Sequence, residues 1–136
     1  METFVWPIRV YYEDTDSGGV VYYANYLKFM ERARTEWLRA RGFEQDALLR
    51  DRRLLFAVRR LAVDYHRPAR FNDRLEVVSQ VAQAGGASLT FAHAIQRADS
   101  AEALCGARVK VACIDADSFQ ACRMPRDLLR EIIGDA

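Results

Sequence analysis

The stretch that decides the fold of this chain runs from residue 11 to residue 26. It reads Tyr11-Tyr12-Glu13-Asp14-Thr15-Asp16-Ser17-Gly18-Gly19-Val20-Val21-Tyr22-Tyr23-Ala24-Asn25-Tyr26. Acidic side chains, a pair of glycines and several aromatic rings are packed into this short stretch. Because aspartate, serine and glycine favour turn geometry, residues 14–19 are predicted to form a loop between two regular elements.

A long amphipathic helix is predicted directly after this loop, from Asn25 to about Arg41. Its apolar stripe repeats at three- and four-residue steps and consists of Tyr26, Phe29, Met30, Ala33, Trp37 and Ala40. Asn25 is of the residue type preferred at an N-cap, and Gly42 occupies the position expected for a left-handed residue after the helix. Such a helix needs a broad apolar surface to lie on.

Five predicted strands supply that surface, because apolar and polar residues alternate along them. The strand predictions cover Val5–Tyr12, Leu55–Tyr65, Leu75–Ala84, Ser88–Arg97 and Leu104–Asp115. The pair Gly85-Gly86 indicates a hairpin. Pro125 suits the first turn of a short final helix that continues to about Ile133.

The order of these elements predicts an α+β domain with one long helix against one antiparallel sheet. Pro7 lacks an N–H group, which favours an edge position for part of the first strand. The sequence contains no internal repeat or linker, so residues 1–136 are expected to form a single domain. One helix leaves the far face and the edges of the sheet uncovered, and a second copy of the chain would cover them most simply.

Composition limits the classes of function. The chain has 136 residues, of which 51% are hydrophobic and 29% charged, enough for one core. The formal net charge of +1 gives no overall field that favours nucleic acid. Neither a secretory signal nor an apolar run approaching about 20 residues is present, so we expect no membrane span and a cytoplasmic location. The 3 cysteines lack metal-binding spacing and are expected to be reduced thiols.

The opening stretch, together with the order of elements, resembles the acyl-CoA thioesterases of the 4-hydroxybenzoyl-CoA thioesterase type. The residues that carry this resemblance are Asp14, Asp16, Gly19, Val21, Tyr23, Asn25 and Tyr26. The likeness continues through Arg32-Ala33-Arg34-Thr35-Glu36-Trp37-Leu38 and Asp64-Tyr65-His66-Arg67-Pro68-Ala69. In this extended form it is similar to the bacterial subgroup associated with the Tol–Pal cell-envelope system.

The resemblance implies a hotdog fold, in which a curved antiparallel sheet of about five strands wraps a long central helix. It implies hydrolysis of an acyl-CoA thioester to a carboxylic acid and CoA. Coenzyme A is then part of the substrate, and no separate cofactor is expected. The family forms homodimers or homotetramers with active sites at subunit interfaces. An acyl carrier protein and components of the Tol–Pal envelope system are candidate partners.

The same resemblance assigns a catalytic role to Asp16 and a pocket-lining role to Tyr23. Many members of the Tol–Pal-associated subgroup have histidine at the position of Tyr23. A tyrosine there is no base near neutral pH, so the chemistry expected here is centred on Asp16. This carboxylate either attacks the thioester carbonyl directly or takes a proton from water.

Four further residues are predicted to contact the substrate: Gly19, Asn25, His66 and Arg67. Gly19 has no Cβ, which allows backbone or substrate to approach closely. Asn25 is either a helix cap or a site residue, and His66 either lies near the ligand or belongs to a surface loop. Arg67 belongs to a basic group with Arg59, Arg60 and Arg70, which is suited to CoA phosphates or simply to a solvated surface.

Three other interpretations of the sequence stay open. Asp14 and Asp16 form a D-x-D pattern that also suits magnesium, although no further carboxylate cluster supports it. A dehydratase of the same fold would need a base beside the central helix, commonly a histidine, and this helix has none. A non-catalytic module that binds an acyl carrier or an envelope complex is the third. His93 lies in phase with apolar neighbours and is expected to be buried.

Overall fold

The computed structural model describes residues 2–133, and its helices and strands follow the predicted order. In chain order they are β1 (Phe4–Arg9), a 3₁₀ helix (Tyr12–Asp14), α1 (Asn25–Ala40), α2 (Gln45–Arg52), β2 (Leu54–Tyr65), β3 (Arg74–Ala84), β4 (Ser88–Arg97), β5 (Ala103–Asp115) and α3 (Arg126–Ile133).

All five strands join one antiparallel sheet in the order β1-β3-β4-β5-β2. The strands β1 and β2 are therefore its edges, and the predicted edge position of Pro7 is correct. The predicted α+β class is confirmed, with one long helix and five antiparallel strands as in the hotdog fold. Within residues 2–133, no helix has both the length and the hydrophobicity needed to cross a bilayer.

The core lies between α1 and the inner face of the sheet. The stripe of α1 is buried from Tyr26 to Trp37, whereas Ala40 at its end is exposed. Trp37 packs edge-on against Phe91 of β4, with ring centroids 5.0 Å apart. Burying an apolar side chain of valine size or larger contributes about 1.5–3 kcal/mol, so the stripe fixes α1 against the sheet. The helix in turn fixes the position of the loop that precedes it.

The two ends of α1 answer the two capping predictions differently. The N-cap is Ala24 rather than Asn25, so the predicted cap is wrong. Asn25 is buried instead, and its side-chain amide donates to the carbonyl oxygen of Asp14 at 2.9 Å. At the other end Gly42 has a φ of 90°, as predicted. The Phe43 N–H closes the helix by donating to Leu38.

Two elements depart from their predictions. β1 ends at Arg9 rather than Tyr12, because the chain turns into the 3₁₀ helix once the Val10 N–H has bonded to Asp73. The helix α2 was not predicted, since its pattern is weakly amphipathic and Leu48 is its one buried residue. The other strand limits agree within one residue, and Cys105, Cys113 and Cys122 are free thiols.

Candidate active site

The loop between β1 and α1 forms a tight turn around Asp16. The Asp16 N–H donates to the Val20 carbonyl at 2.9 Å, and the Gly19 N–H donates back to the Asp16 carbonyl at 3.0 Å. Gly19 has a φ of 79°, in the left-handed region that glycine adopts without strain. The glycine predicted at this position is thus required by the backbone of the turn itself.

The side chain of Asp16 is exposed and only partly engaged. Its Oδ1 accepts the Gly18 N–H at 2.8 Å, and its other oxygen has no hydrogen-bond partner among residues 2–133. A Cβ on Gly18 would lie 3.2 Å from Oδ1, so glycine leaves room for the carboxylate. One oxygen is held by the turn while the other is open to a ligand.

Asp14 has a different environment although it is only two residues away. Its side chain is buried, and Oδ2 accepts the Tyr11 N–H at 2.9 Å. Its carbonyl oxygen accepts both the Tyr22 N–H and the Asn25 side-chain amide at 2.9 Å. Asp14 therefore builds the turn, and Asn25 acts as its partner from the start of α1.

An aromatic cluster ties this turn to the end of β2. Tyr23 is 61% exposed, and its carbonyl oxygen accepts the Tyr65 hydroxyl at 2.9 Å. The Tyr26 hydroxyl is buried and accepts the Ala69 N–H at 2.9 Å. These contacts hold the start of α1 beside the loop that follows β2.

The loop after β2 lies alongside the Asp16 turn. Val20 pairs with Arg70, and the Val21 N–H donates to Ala69 at 2.8 Å. His66 and Arg67 are exposed in this loop, where their backbone N–H groups both donate to Leu104. The structure thus places Asp16, Gly19 and Tyr23 in the loop between β1 and α1, and it places His66 and Arg67 in the neighbouring loop.

The two residues just before α1 carry unpaired donors. Within the described residues, the backbone N–H groups of Tyr23 and Ala24 have no acceptor. They lie at the positive end of a 16-residue helix, where partial charges favour an anion. The contact with Tyr23 raises the pKa of Tyr22, and burial and the negative charge of Asp16 raise it further.

A cavity of about 240 Å³ lies elsewhere, between α1 and the edge strand β2. Its walls combine apolar side chains with a few polar ones, and Asp16 is not among them. It is lined by Glu31, Arg34, Trp37, Leu38, Gln45, Phe56, Val58, Leu89, Phe91 and Val111. In a single copy of the chain, the exposed carboxylate and this cavity are therefore separate.

His93 is buried next to this cavity, as predicted. Its two ring nitrogens contact Arg34 at 3.1 Å and the Ser79 hydroxyl at 2.7 Å. Burial and, to a lesser extent, the charge of Arg34 lower the pKa of His93 to about 3. The imidazole is therefore neutral near neutral pH, with one nitrogen accepting from the guanidinium and the other donating to the hydroxyl.

Sequence reasoning missed two supports of the site. Tyr65 was given no role at the site, yet its hydroxyl donates to the Tyr23 carbonyl. Arg97 shapes the loop after β2 by pairing with Asp73 and donating to the Pro68 carbonyl at 2.9 Å. Both contacts join distant parts of the chain, so no local pattern signals them. Among residues 2–133, no three His, Cys, Asp or Glu side chains are grouped to hold a metal.

A long helix against a five-stranded antiparallel sheet is the architecture of a hotdog domain. Residues 10–132 match the thioesterase-like superfamily. The chain belongs to this superfamily, and the family recognised in the sequence is confirmed.

Curated relatives and solved structures agree with this membership. The chain is 44% identical over 128 residues to the acyl-CoA thioester hydrolase YbgC of Escherichia coli, covering 94% of each chain. It is 45% identical over 125 residues to the acyl-CoA thioesterase YbgC of Haemophilus influenzae, covering 92% of this chain and 90% of the relative. The fold matches a 1,4-dihydroxy-2-naphthoyl-CoA thioesterase from Synechocystis with a TM-score of 0.89 at 26% identity, covering 96% of both chains.

Proposed function

We propose that the protein hydrolyses acyl-CoA thioesters to a carboxylic acid and CoA, and that Asp16 is its catalytic carboxylate. The observation that carries the proposal is the open oxygen of Asp16, in the loop that also carries the unpaired N–H groups of Tyr23 and Ala24 just before α1. Its relatives in Escherichia coli and Haemophilus influenzae bear the names of acyl-CoA thioester hydrolases. Residues 1–136 would act as one catalytic domain in the cytoplasm.

Two routes fit an open carboxylate. In the first, an Asp16 oxygen attacks the thioester carbon, the C–S bond breaks and the CoA thiolate leaves and takes up a proton. Water then hydrolyses the resulting anhydride, which releases the acid and restores Asp16. In the second, Asp16 takes a proton from water as the water oxygen attacks the same carbon. The C–S bond then breaks, and the proton passes to the CoA sulfur.

Either route develops negative charge on the thioester oxygen. The N–H groups of Tyr23 and Ala24 suit this charge, because they are unpaired within residues 2–133 and lie at the positive helix end. Prearranged donors of this kind are worth about 3–4 kcal/mol each in other acyl-transfer enzymes. The Tyr23 ring lies beside this position and would line the acyl entrance.

The CoA portion would lie over the loop after β2. Arg67 and Arg70 are exposed there, and Arg70 pairs through its backbone with Val20 of the Asp16 turn. Guanidinium groups suit phosphates because they donate two parallel hydrogen bonds. His66 would approach the ligand from the same loop.

We further propose a homodimer formed through the edge strand β2, as the building block of any tetramer. β2 is 12 residues long and has a free edge. On its inner face Val58, Leu61 and Tyr65 are 46%, 43% and 45% exposed. A second β2, paired antiparallel about a two-fold axis, would satisfy the free backbone groups and cover these side chains.

This pairing would also join the carboxylate to the cavity. Two β2 strands crossing near Leu61 place the end of one strand beside the start of the other. The Asp16 turn lies at the end of β2, through Tyr65, and the cavity lies at its start, through Phe56 and Val58. One copy would then supply the carboxylate and the other the acyl pocket.

Thiol release tests the proposal directly. Purified protein is mixed with acyl-CoAs of short, long and aromatic acyl groups, and free CoA is followed over time. We expect release from at least one class by the wild type and its loss in Asp16→Ala and Asp16→Asn. Full activity in both variants, or no release from any substrate, would overturn the proposal.

The same assay separates the other interpretations. A dehydratase would add water to an enoyl-CoA without releasing thiol. A non-catalytic module would bind acyl carrier protein or Tol–Pal components while leaving every thioester intact. Both outcomes argue against Asp16-dependent hydrolysis, and each points to its own alternative.

A further inference from the structure

An exposed pair of stacked rings lies next to the proposed active site. Tyr12 and Phe71 lie face to face, with ring centroids 3.8 Å apart and planes within 5°. They are 74% and 42% exposed, so the pair presents flat apolar surface to solvent. We call this pair the aromatic platform.

The backbone holds both rings in place. Tyr12 begins the 3₁₀ helix that leads into the Asp16 turn. Phe71 is followed by Asn72, which has a φ of 71° and donates its N–H to the Val10 carbonyl at 2.9 Å. Asparagine tolerates this left-handed conformation better than most residues do. The rings are thus presented by two ordered turns.

Two arginines adjoin the turn that carries Phe71. Arg9 donates to the Asn72 side-chain oxygen at 2.9 Å, and Arg70 directly precedes Phe71. Neither forms a salt bridge with a carboxylate within residues 2–133, whereas Arg97 nearby pairs with both Asp73 and Glu102. The charges of these two arginines are therefore available to an anion.

The aromatic platform is continuous with the Asp16 turn. The Tyr12 carbonyl accepts the N–H and the hydroxyl of Thr15, the residue before Asp16, at 3.0 and 2.7 Å. On the other side, Arg70 pairs with Val20 in the same turn. Rings, arginines and carboxylate thus belong to one connected group of loops.

We propose that the aromatic platform stacks on the adenine ring of the CoA thioester, while Arg9 and Arg70 bind its phosphates. This inference rests on the proposed thioesterase function and assigns the nucleotide end of the substrate. A purine stacks on an aromatic face through dispersion and loss of hydration. An arginine beside the stack binds phosphate through paired N–H donors. CoA carries adenine and phosphates in one molecule, which matches the aromatic rings and arginines in this connected group of loops.

A comparison of full and truncated substrates tests the proposal. Acyl-CoA and the matching acyl-pantetheine share the thioester, but only the first carries the nucleotide. We expect Tyr12→Leu and Phe71→Leu to raise KM for acyl-CoA about tenfold, with kcat and both constants for acyl-pantetheine unchanged. The matched control is Tyr11→Leu, since Tyr11 is also exposed, at 61%, and lies outside the stack.

The arginines have their own comparison. Arg9→Gln and Arg70→Gln are expected to raise KM for acyl-CoA and to leave acyl-pantetheine unaffected. Arg50→Gln is the control, because Arg50 is equally a surface cation but pairs with Asp51 on α2. Equal effects on both substrates, or no effect on either, would contradict the assignment.

A binding measurement keeps the test independent of turnover. Adenosine 3′,5′-bisphosphate is titrated calorimetrically into Asp16→Asn protein, with and without Tyr12→Leu. We expect binding that the second substitution weakens about tenfold. Binding that Tyr12→Leu leaves unchanged would overturn the proposal. A substitution whose main effect is an altered oligomer mass would also overturn it and would indicate that the rings form a subunit contact. If the wild type releases no thiol from either thioester, the proposed function fails, and this titration still decides whether the nucleotide binds.

Discussion

Asp14 and Asp16 are two residues apart, and the fold places their side chains in different environments. Asp14 is buried and accepts the Tyr11 N–H, whereas Asp16 is exposed with one oxygen open. The residue types of this stretch predicted a turn, and the family resemblance assigned the catalytic role to Asp16. The motif could not predict the hydrogen bond from the Asn25 side chain to the Asp14 carbonyl. Asparagine is a preferred N-cap residue, so the sequence suggested a helix cap instead.

The buried carboxylate of Asp14 leads to a stability prediction. Asp14→Ala removes the carboxylate that accepts the Tyr11 N–H in a part-buried hydrogen bond, which costs about 1.5–3 kcal/mol. Urea unfolding of the variant should therefore show a lower free energy of unfolding at unchanged m-value. Asp16→Ala serves as the control and should lose less, staying within about 1 kcal/mol of wild type, because the bond that it removes to the Gly18 N–H is exposed. Equal losses in the two variants would contradict the difference between the two environments.

His93 leads to a prediction on pH. Its pKa falls from an ordinary 6.5 to about 3 in the fold, so the unfolded chain takes up this proton first as pH decreases. The contribution to stability is complete above pH 6.5 and is lost as pH falls towards 3, by about 1.4 kcal/mol per pH unit. Urea unfolding at pH 7, 6 and 5 should show a loss that is smaller between pH 7 and 6 and approaches this slope between pH 6 and 5.

The control for this slope is His93→Gln, which keeps a polar side chain beside Ser79 and has no charge to gain. Its stability should vary less between pH 6.5 and 5 than that of wild type. If the two proteins lose stability equally over this range, other groups titrate and the prediction for His93 is wrong.

At the scale of elements, periodicity correctly predicted the helix and strands whose residue pattern is local. The stripe of α1 and the alternation along β3, β4 and β5 each depend on neighbouring residues, and those elements agree closely with their predictions. The helix α2 depends instead on a tertiary position against β2, since it buries only Leu48. β1 is shortened by a hydrogen bond between Val10 and Asp73. These two residues are 63 positions apart in the sequence, so no local pattern predicts the bond.

The end of α1 offers a test of backbone strain. Gly42 has a φ of 90°, and Gly42→Ala should cost about 1 kcal/mol because a Cβ is strained there. Gly85 has no positive φ, and a Cβ there would meet ordinary contacts at 3.6 Å. Thermal unfolding should therefore show a clear loss for Gly42→Ala and a smaller change for Gly85→Ala. The reverse order would contradict the helix ending described here.

The free edge of β2 leads to a prediction on assembly. Leu61→Asp puts a charge on a side chain, 43% exposed in one copy, that the proposed dimer would bury. Light scattering after size exclusion should show a dimer for wild type and about half that mass for the variant. Leu49→Asp is the control, because Leu49 is 38% exposed on α2 and should keep the dimer. A wild-type monomer would contradict the dimer.

For the molecule as a whole, the predicted fold class is confirmed, whereas the site around Asp16 stays a prediction. The order of elements and the residues around Asp16 were sufficient for an α+β hotdog domain. The Tyr12–Phe71 stack, the Arg97 contact to Pro68 and the cavity beside β2 all join residues far apart in sequence. Their positions follow from strand pairing over long distances, which composition and spacing do not encode.

The central claim is that one exposed carboxylate in this fold drives thioester hydrolysis. It is tested most directly by the kcat/KM for CoA release of Asp16→Asn relative to wild type, on the best acyl-CoA, with equal unfolding midpoints confirming that both are folded. We predict a loss of at least about a hundredfold, since the amide neither attacks the carbonyl nor accepts the proton. A folded Asp16→Asn protein that releases CoA at the wild-type rate would contradict the account.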